Sequence, residues 1–117
     1  ETEAFDTEGG VPRCPQCDAV LKPDVVFFGE PIPVNALEEA FEEARQADLV
    51  LVVGTSAVVY PASSIPYTAK ERGAMVVEIN LEETPLTHAV SDYIIKGPAG
   101  EILPEVVAEL RALSEGE

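Results

Sequence analysis

The apolar residues of this chain fall into two kinds of pattern. In one they run on without polar interruption: "VVFF" at 25–28, "LVLVV" at 49–53, "MVV" at 75–77 and "YII" at 93–95. In the other they return every three or four positions, as do Leu37, Ala40, Phe41 and Ala44. Short uninterrupted runs bounded by Gly or Pro predict strands buried on both faces, as a central parallel sheet demands. The wider spacing predicts helices with one apolar face.

Read in order, Val25 to Phe28 predicts a short buried strand stopped by Gly29. Pro31 and Pro33 withdraw backbone donors, so "EPIPVN" is irregular. Asn35 is placed to cap a helix, and Glu38 completes a capping-box pattern. "DLVLVVG" predicts the next strand, ended by Gly54. "PASSIPYTAKER" at 61–72 predicts a helix with Pro66 in its first turn and Gly73 at its end. "AMVVEIN" and "DYIIKG" predict two more strands. "AGEILPEVVAELRAL" predicts a closing helix with Pro104 in its first turn and Leu103, Val106, Val107 and Leu110 on one face. The order β, α, β, α, β, β, α belongs to the α/β class: a parallel sheet with crossover helices.

Length and charge narrow the function. A chain of 117 residues is one domain or half of a larger one. Hydrophobic residues make up 46% but aromatics only 6%, with no Trp, so the core is aliphatic. Lys and Arg number 7 against 22 acids, a net charge of −15. Such a surface repels phosphate backbones and anionic lipid and attracts basic protein segments, which speaks against nucleic-acid and membrane partners. No apolar run is long enough to span a bilayer. The acidic start "ETEAFDTEGG" is unlike a signal or transit peptide, so the expected location is cytoplasmic.

Candidate chemistry lies where strands end, because open α/β sheets bind ligands beyond the carboxyl ends of their strands. Gly54, Thr55 and Ser56 follow one buried run and offer a sharp turn, hydroxyls and amides suited to phosphate or ribose oxygens. The plain alternative is an ordinary strand-to-loop turn. Asn80 ends another run, with Glu82 and Glu83 just beyond, and an acid or amide there can bind ribose hydroxyls. The alternative is a cap for the following turn. No GxGxxG loop is present, and His88 reads as a loop histidine. Cys14 and Cys17, in "CPQC", have the spacing of one knuckle of a zinc ribbon. A redox pair and two free thiols are the other readings.

Taken together, "CPQC", "LKPDVVFFGEPIP", "ADLVLVVGTSAVVYPAS", "GAMVVEINLEET" and "SDYIIKGPAGEILPEVV" resemble, in order, the C-terminal half of the sirtuins, the NAD-dependent protein deacylases. The resemblance implies part of a Rossmann-like parallel sheet with crossover helices, preceded by half of a zinc-ribbon-like module. It divides the chain into 1–24, an acidic lead-in with the CxxC, and 25–117, the C-terminal half of the NAD-binding domain. It implies that Gly54, Thr55 and Ser56 line the NAD site, that Asn80, Leu81 and Glu82 hold its adenosine end, and that Ala99 touches the adenine. Val26, Phe28, Gly29 and Glu30, with Val59 and Tyr60, would flank an acyl-lysine peptide lying as an added strand. Cys14 and Cys17 would be the second pair of a structural four-cysteine zinc.

In that family the first cysteine pair, the glycine-rich loop and the catalytic His lie upstream and have no counterpart in this sequence, so the partner expected for this chain is the N-terminal half of the same protein. The acyl oxygen there attacks the ribose carbon as nicotinamide leaves, with that His as base. The chain departs from the family pattern at Asp18 and Ala19, where small glycines are common, and at Ala57, where leucine is common. A reading of a different class remains: a non-catalytic nucleotide-binding or adaptor module. An unrelated complete enzyme ranks last, since no acid–base or nucleophile constellation is visible.

Overall fold

Three of the four uninterrupted apolar runs form strands in the computed structural model, which describes residues 10–116. Most of the acidic lead-in, residues 1–9, lies outside that range. The chain divides into two compact units, Glu1–Ile32 and Pro33–Glu117.

In the second unit, β1 (Leu49–Val53), β2 (Met75–Asn80) and β3 (Tyr93–Lys96) form a parallel sheet in the order β1-β2-β3. The helices are α1 (Val34–Gln46), α2 (Ile65–Glu71) and α3 (Ala99–Glu115), and a 3-10 turn at Ala62–Ser64 leads into α2. Pro66 sits in the first turn of α2, where its lack of an N–H costs nothing. Gly73, at φ +96, closes that helix, with Gly73 N–H on the Lys70 carbonyl and Ala74 N–H on that of Ala69.

Register explains where the core lies. Val50 stands beside Val76 and Val52 beside Glu78, so these side chains share one face. Val52 and Val76 pack there with Leu86 and Val90 of the segment joining β2 to β3. Ala44, Ala69 and Ala74 form a second buried cluster with Val50 and Ile65, small residues that let helix and sheet approach closely. Glu78 is fully buried on the same face. Ser91 Oγ donates to its Oε1 at 2.7 Å, and Thr84 Oγ1 donates to Oε2. Burial pushes its carboxyl up, but hydrogen bonds from Thr84, Ser91 and Thr87 outweigh that and hold it below the usual range.

Several expectations need correction. Val25–Phe28 is not a strand. Its residues are exposed, Phe28 at 93%, and among the described residues of their unit no strand lies beside them to take up their backbone groups. Burial of β1 on both faces also fails. Leu49, Leu51, Met75, Tyr93 and Ile95 share the other face and are all exposed, and β1 is an edge strand. Helix α1 begins at Val34, with Pro33 as its N-cap and no side-chain cap, so Asn35 lies inside the first turn. Pro98 starts α3 at Ala99, which puts Pro104 in the helix interior, where it cannot donate to the Gly100 carbonyl. Val107 and Leu110 of α3 are exposed, while Leu103 and Val106 are half-buried. No described helix is long and apolar enough to cross a membrane.

Candidate functional site

The carboxyl ends of the three strands meet at Asn80. Gly54, just past β1, donates its N–H to the Ile79 carbonyl at 2.9 Å. Its φ of +61 lies in the left-handed region, which only glycine enters without steric cost. Space around it is open, so the backbone angle and not crowding requires glycine. Asn80 Nδ2 donates to the Thr55 carbonyl at 2.7 Å, and Leu81 N–H donates to Asn80 Oδ1 at 2.8 Å. From the third strand end, Gly97 N–H donates to the Asn80 carbonyl at 3.0 Å, and α3 begins two residues later at Ala99.

The loop between β1 and the 3-10 turn carries a second left-handed residue, Ala57, at φ +54. Thr55 Oγ1 accepts the Ala57 N–H at 3.1 Å and helps hold that turn. Thr55, Ser56, Leu81 and Glu82 are exposed, and Asn80 and Ala99 are half-buried. All seven residues expected at the dinucleotide therefore belong to one tied set of strand-end loops. The hydroxyls of Thr55 and Ser56 and the small Gly54 and Ala99 suit sugar and phosphate oxygens, and the positive end of the 17-residue α3 opens among them. This donor set fits one end of NAD.

Just beyond, Glu83 accepts from Lys96 at 2.8 Å and pairs with His88 at 3.0 Å, and these two partners, Lys96 first, hold its carboxyl below the usual range. His88 is an exposed loop histidine whose side chain is 80% accessible.

The residues expected at the peptide fall in both units. Val59 and Tyr60 are exposed, and the Tyr60–Pro61 bond is cis. Val59 borders an open, largely apolar cavity of about 260 Å³ with Val52, Thr55, Ala57, Ile65 and Pro66. In the first unit, Val26 and Phe28 are exposed, and Gly29 has φ +86. Glu30 caps its own turn: Phe27 N–H donates to Oε2 at 3.1 Å, and Lys22 Nζ lies 3.1 Å from the same oxygen.

Cys14 and Cys17 sit on a closed turn. Asp18 N–H donates to the Cys14 carbonyl at 2.9 Å and Cys14 N–H to the Ala19 carbonyl at 2.8 Å. Asp18 stands at φ +59, an angle that Asp tolerates better than most residues, and Arg13 donates to its carbonyl at 2.8 Å. The turn is thus complete without glycine. The N–H groups of Gln16 and Cys17, together with the Cys17 thiol, hold the Cys14 thiol below its ordinary value. Two thiols two residues apart on one closed turn are the donor set of half a tetrahedral zinc site, and the pair fits it. Among the described residues no group of three or more His, Cys, Asp or Glu could hold a metal.

Sequence reasoning did not single out Gly97 or the buried role of Glu78. The signals were present: "KGP" directly after a strand, and one acid inside the apolar run "MVVEIN".

Comparison with known proteins gives concordant results. A family model described as Sir2 family matches residues 2–61. An NAD-dependent protein deacylase of Thermococcus kodakarensis is 52% identical over 107 residues, which cover 92% of this chain and 41% of that protein. A crystal structure of a Sir2 homolog–NAD complex aligns with TM-score 0.77 and 45% identity over 89% of this chain and 40% of the other. Sir2Af2 bound to a myristoylated histone peptide aligns with TM-score 0.78 and 45% identity over 94% and 47%. The chain thus spans about two fifths of the length of the curated relatives it matches.

Proposed function

Because the chain belongs to the Sir2 family, we propose that it is the C-terminal part of an NAD-dependent protein lysine deacylase. Its strand-end loops form the adenosine-side wall of the NAD site, through Gly54, Thr55, Ser56, Asn80, Leu81, Glu82 and Ala99. The observation that carries this reading is the hydrogen-bonded meeting of three strand ends at Asn80. Parallel α/β sheets bind nucleotides at such an edge. The likeness to a Sir2 homolog solved with NAD supports the same reading.

For the acylated-lysine peptide, the first unit supplies contacts through Val26, Phe28, Gly29 and Glu30, and the second unit supplies its own through Val59 and Tyr60. The exposure of Val26, Phe28, Val59 and Tyr60 supports that role, as does the likeness to a relative solved with a myristoylated peptide. Cys14 and Cys17 bind half of a structural zinc, whose other two ligands come from the N-terminal half of the protein. The same half covers the apolar sheet face at Leu49, Leu51, Met75, Tyr93 and Ile95 and pairs with the open edge of β1. The protein works in the cytoplasm.

Ser56→Ala tests the nucleotide assignment. In the full-length protein it should raise the KM for NAD about tenfold, the worth of one hydrogen bond to a charged ligand, and leave the peptide KM unchanged. Steady-state kinetics with NAD and an acetyl-lysine peptide read both. An unchanged KM for NAD would count against the assigned wall.

A further inference from the structure

We propose that Asn80 is a positioning residue, whose side-chain amide holds the Thr55–Ala57 loop in its binding shape. The proposal rests on the nucleotide site described above and deepens the part that Asn80 plays in it.

The loop it reaches is strained. Ala57 lies at φ +54, and a left-handed alanine persists only where its surroundings enforce it. Within the loop, Thr55 Oγ1 accepts the Ala57 N–H. Among the described residues, the only side-chain hydrogen bond that reaches this loop from another element is Asn80 Nδ2 to the Thr55 carbonyl, at 2.7 Å. Fixing that carbonyl fixes the peptide plane between Thr55 and Ser56, and with it the direction of the Ser56 N–H. The other side-chain atom, Oδ1, is engaged by Leu81 N–H at 2.8 Å. The main chain of the same residue accepts Gly97 N–H. One residue therefore sets three loops at once, and its position at the end of β2 leaves it half-buried.

The two roles separate on substitution. Asn80→Asp keeps an acceptor for Leu81 N–H and offers a carboxylate, a common acceptor for ribose hydroxyls. It loses the donor to Thr55 and turns an oxygen toward that carbonyl. If Asn80 binds the ribose as an acceptor, Asn80→Asp retains NAD affinity while Asn80→Ala loses it. If Asn80 positions the loop, both substitutions weaken NAD binding alike.

The test uses the full-length protein. The expected result is a KM for NAD raised about tenfold in both variants, with kcat changed less than twofold. Without nucleotide, amide exchange at Ser56 and Ala57 should be about tenfold faster in both. Wild-type NAD affinity in Asn80→Asp, or unchanged exchange at Ser56 and Ala57, would overturn the proposal. Ser56→Ala in the same assay isolates the other failure. If it leaves NAD kinetics untouched, the site assignment fails, while the exchange measurement on free protein still judges the positioning role by itself.

Discussion

Replacing Glu78 with alanine is expected to destabilise the fold by about 3 kcal/mol, a large share of the 5–15 kcal/mol typical of a domain. The reason is local. Glu78 is fully buried beside Val52 and Val76, and its two oxygens accept from Thr84 and Ser91. Those hydroxyls belong to the helix-free segment that joins β2 to β3 and carries Leu86 and Val90 into the core. Truncation leaves a cavity, orphans two donors and releases the segment that closes the core. Urea unfolding of wild type and variant measures the loss.

Acid provides a second reading of the same group. The folded carboxyl lies below its ordinary value of 4.5, so its stabilising contribution is present above that pH. It fades as pH falls through the lower folded value. The stability gap between wild type and Glu78→Gln should therefore shrink below pH 4.5, because the amide does not titrate. A gap equal at pH 7 and pH 3 would mean that folding leaves the carboxyl's proton affinity unchanged, and a gap that moves in favour of the wild type in acid would mean that Glu78 is neutral in the folded state.

The second large effect concerns chemistry. The 117 residues alone are expected to deacylate an acetyl-lysine peptide with NAD at least about a hundredfold more slowly than the full-length protein, since a positioned general base is worth that or more. His88, the sequence's only histidine, is exposed and paired with Glu83 in a loop, and the family resemblance places the catalytic His upstream of this chain's residues. Peptide deacylation followed by mass spectrometry reads the difference directly. Comparable rates would overturn the division of labour between the two halves. Micromolar NAD binding by the short chain alone would favour the adaptor reading instead.

Much of this was legible in the sequence. β1, β2 and β3 stood out because parallel strands read as unbroken aliphatic runs, and "LVLVV" and "YII" are such runs. Gly54 and Asn80 stood out because they mark the ends of β1 and β2. Val25–Phe28 misled for the same reason: an apolar run reports burial somewhere, and these four residues meet no strand among the described residues of their own unit. Leu49 and Leu51 misled likewise, since an uninterrupted run does not say which chain segment covers each face. The cap was misplaced at Asn35 because Pro33 sets the entry angle itself and no side-chain cap is present; the closing helix does begin at Ala99, which leaves Pro104 in its interior and not in its first turn. The hub at Asn80 was beyond reach because its partners, Thr55 and Gly97, are 25 residues before and 17 after it, and only the parallel register brings them together.

The most direct measurement is amide hydrogen exchange on the full-length protein with and without saturating ADP-ribose. Exchange should slow at Gly54–Ala57, at Leu81–Glu82 and at Ala99–Gly100, three stretches far apart in sequence and joined at the ends of adjacent strands. Saturated nucleotide with no protection at any of these three would contradict the assignment of this sheet edge as the dinucleotide wall.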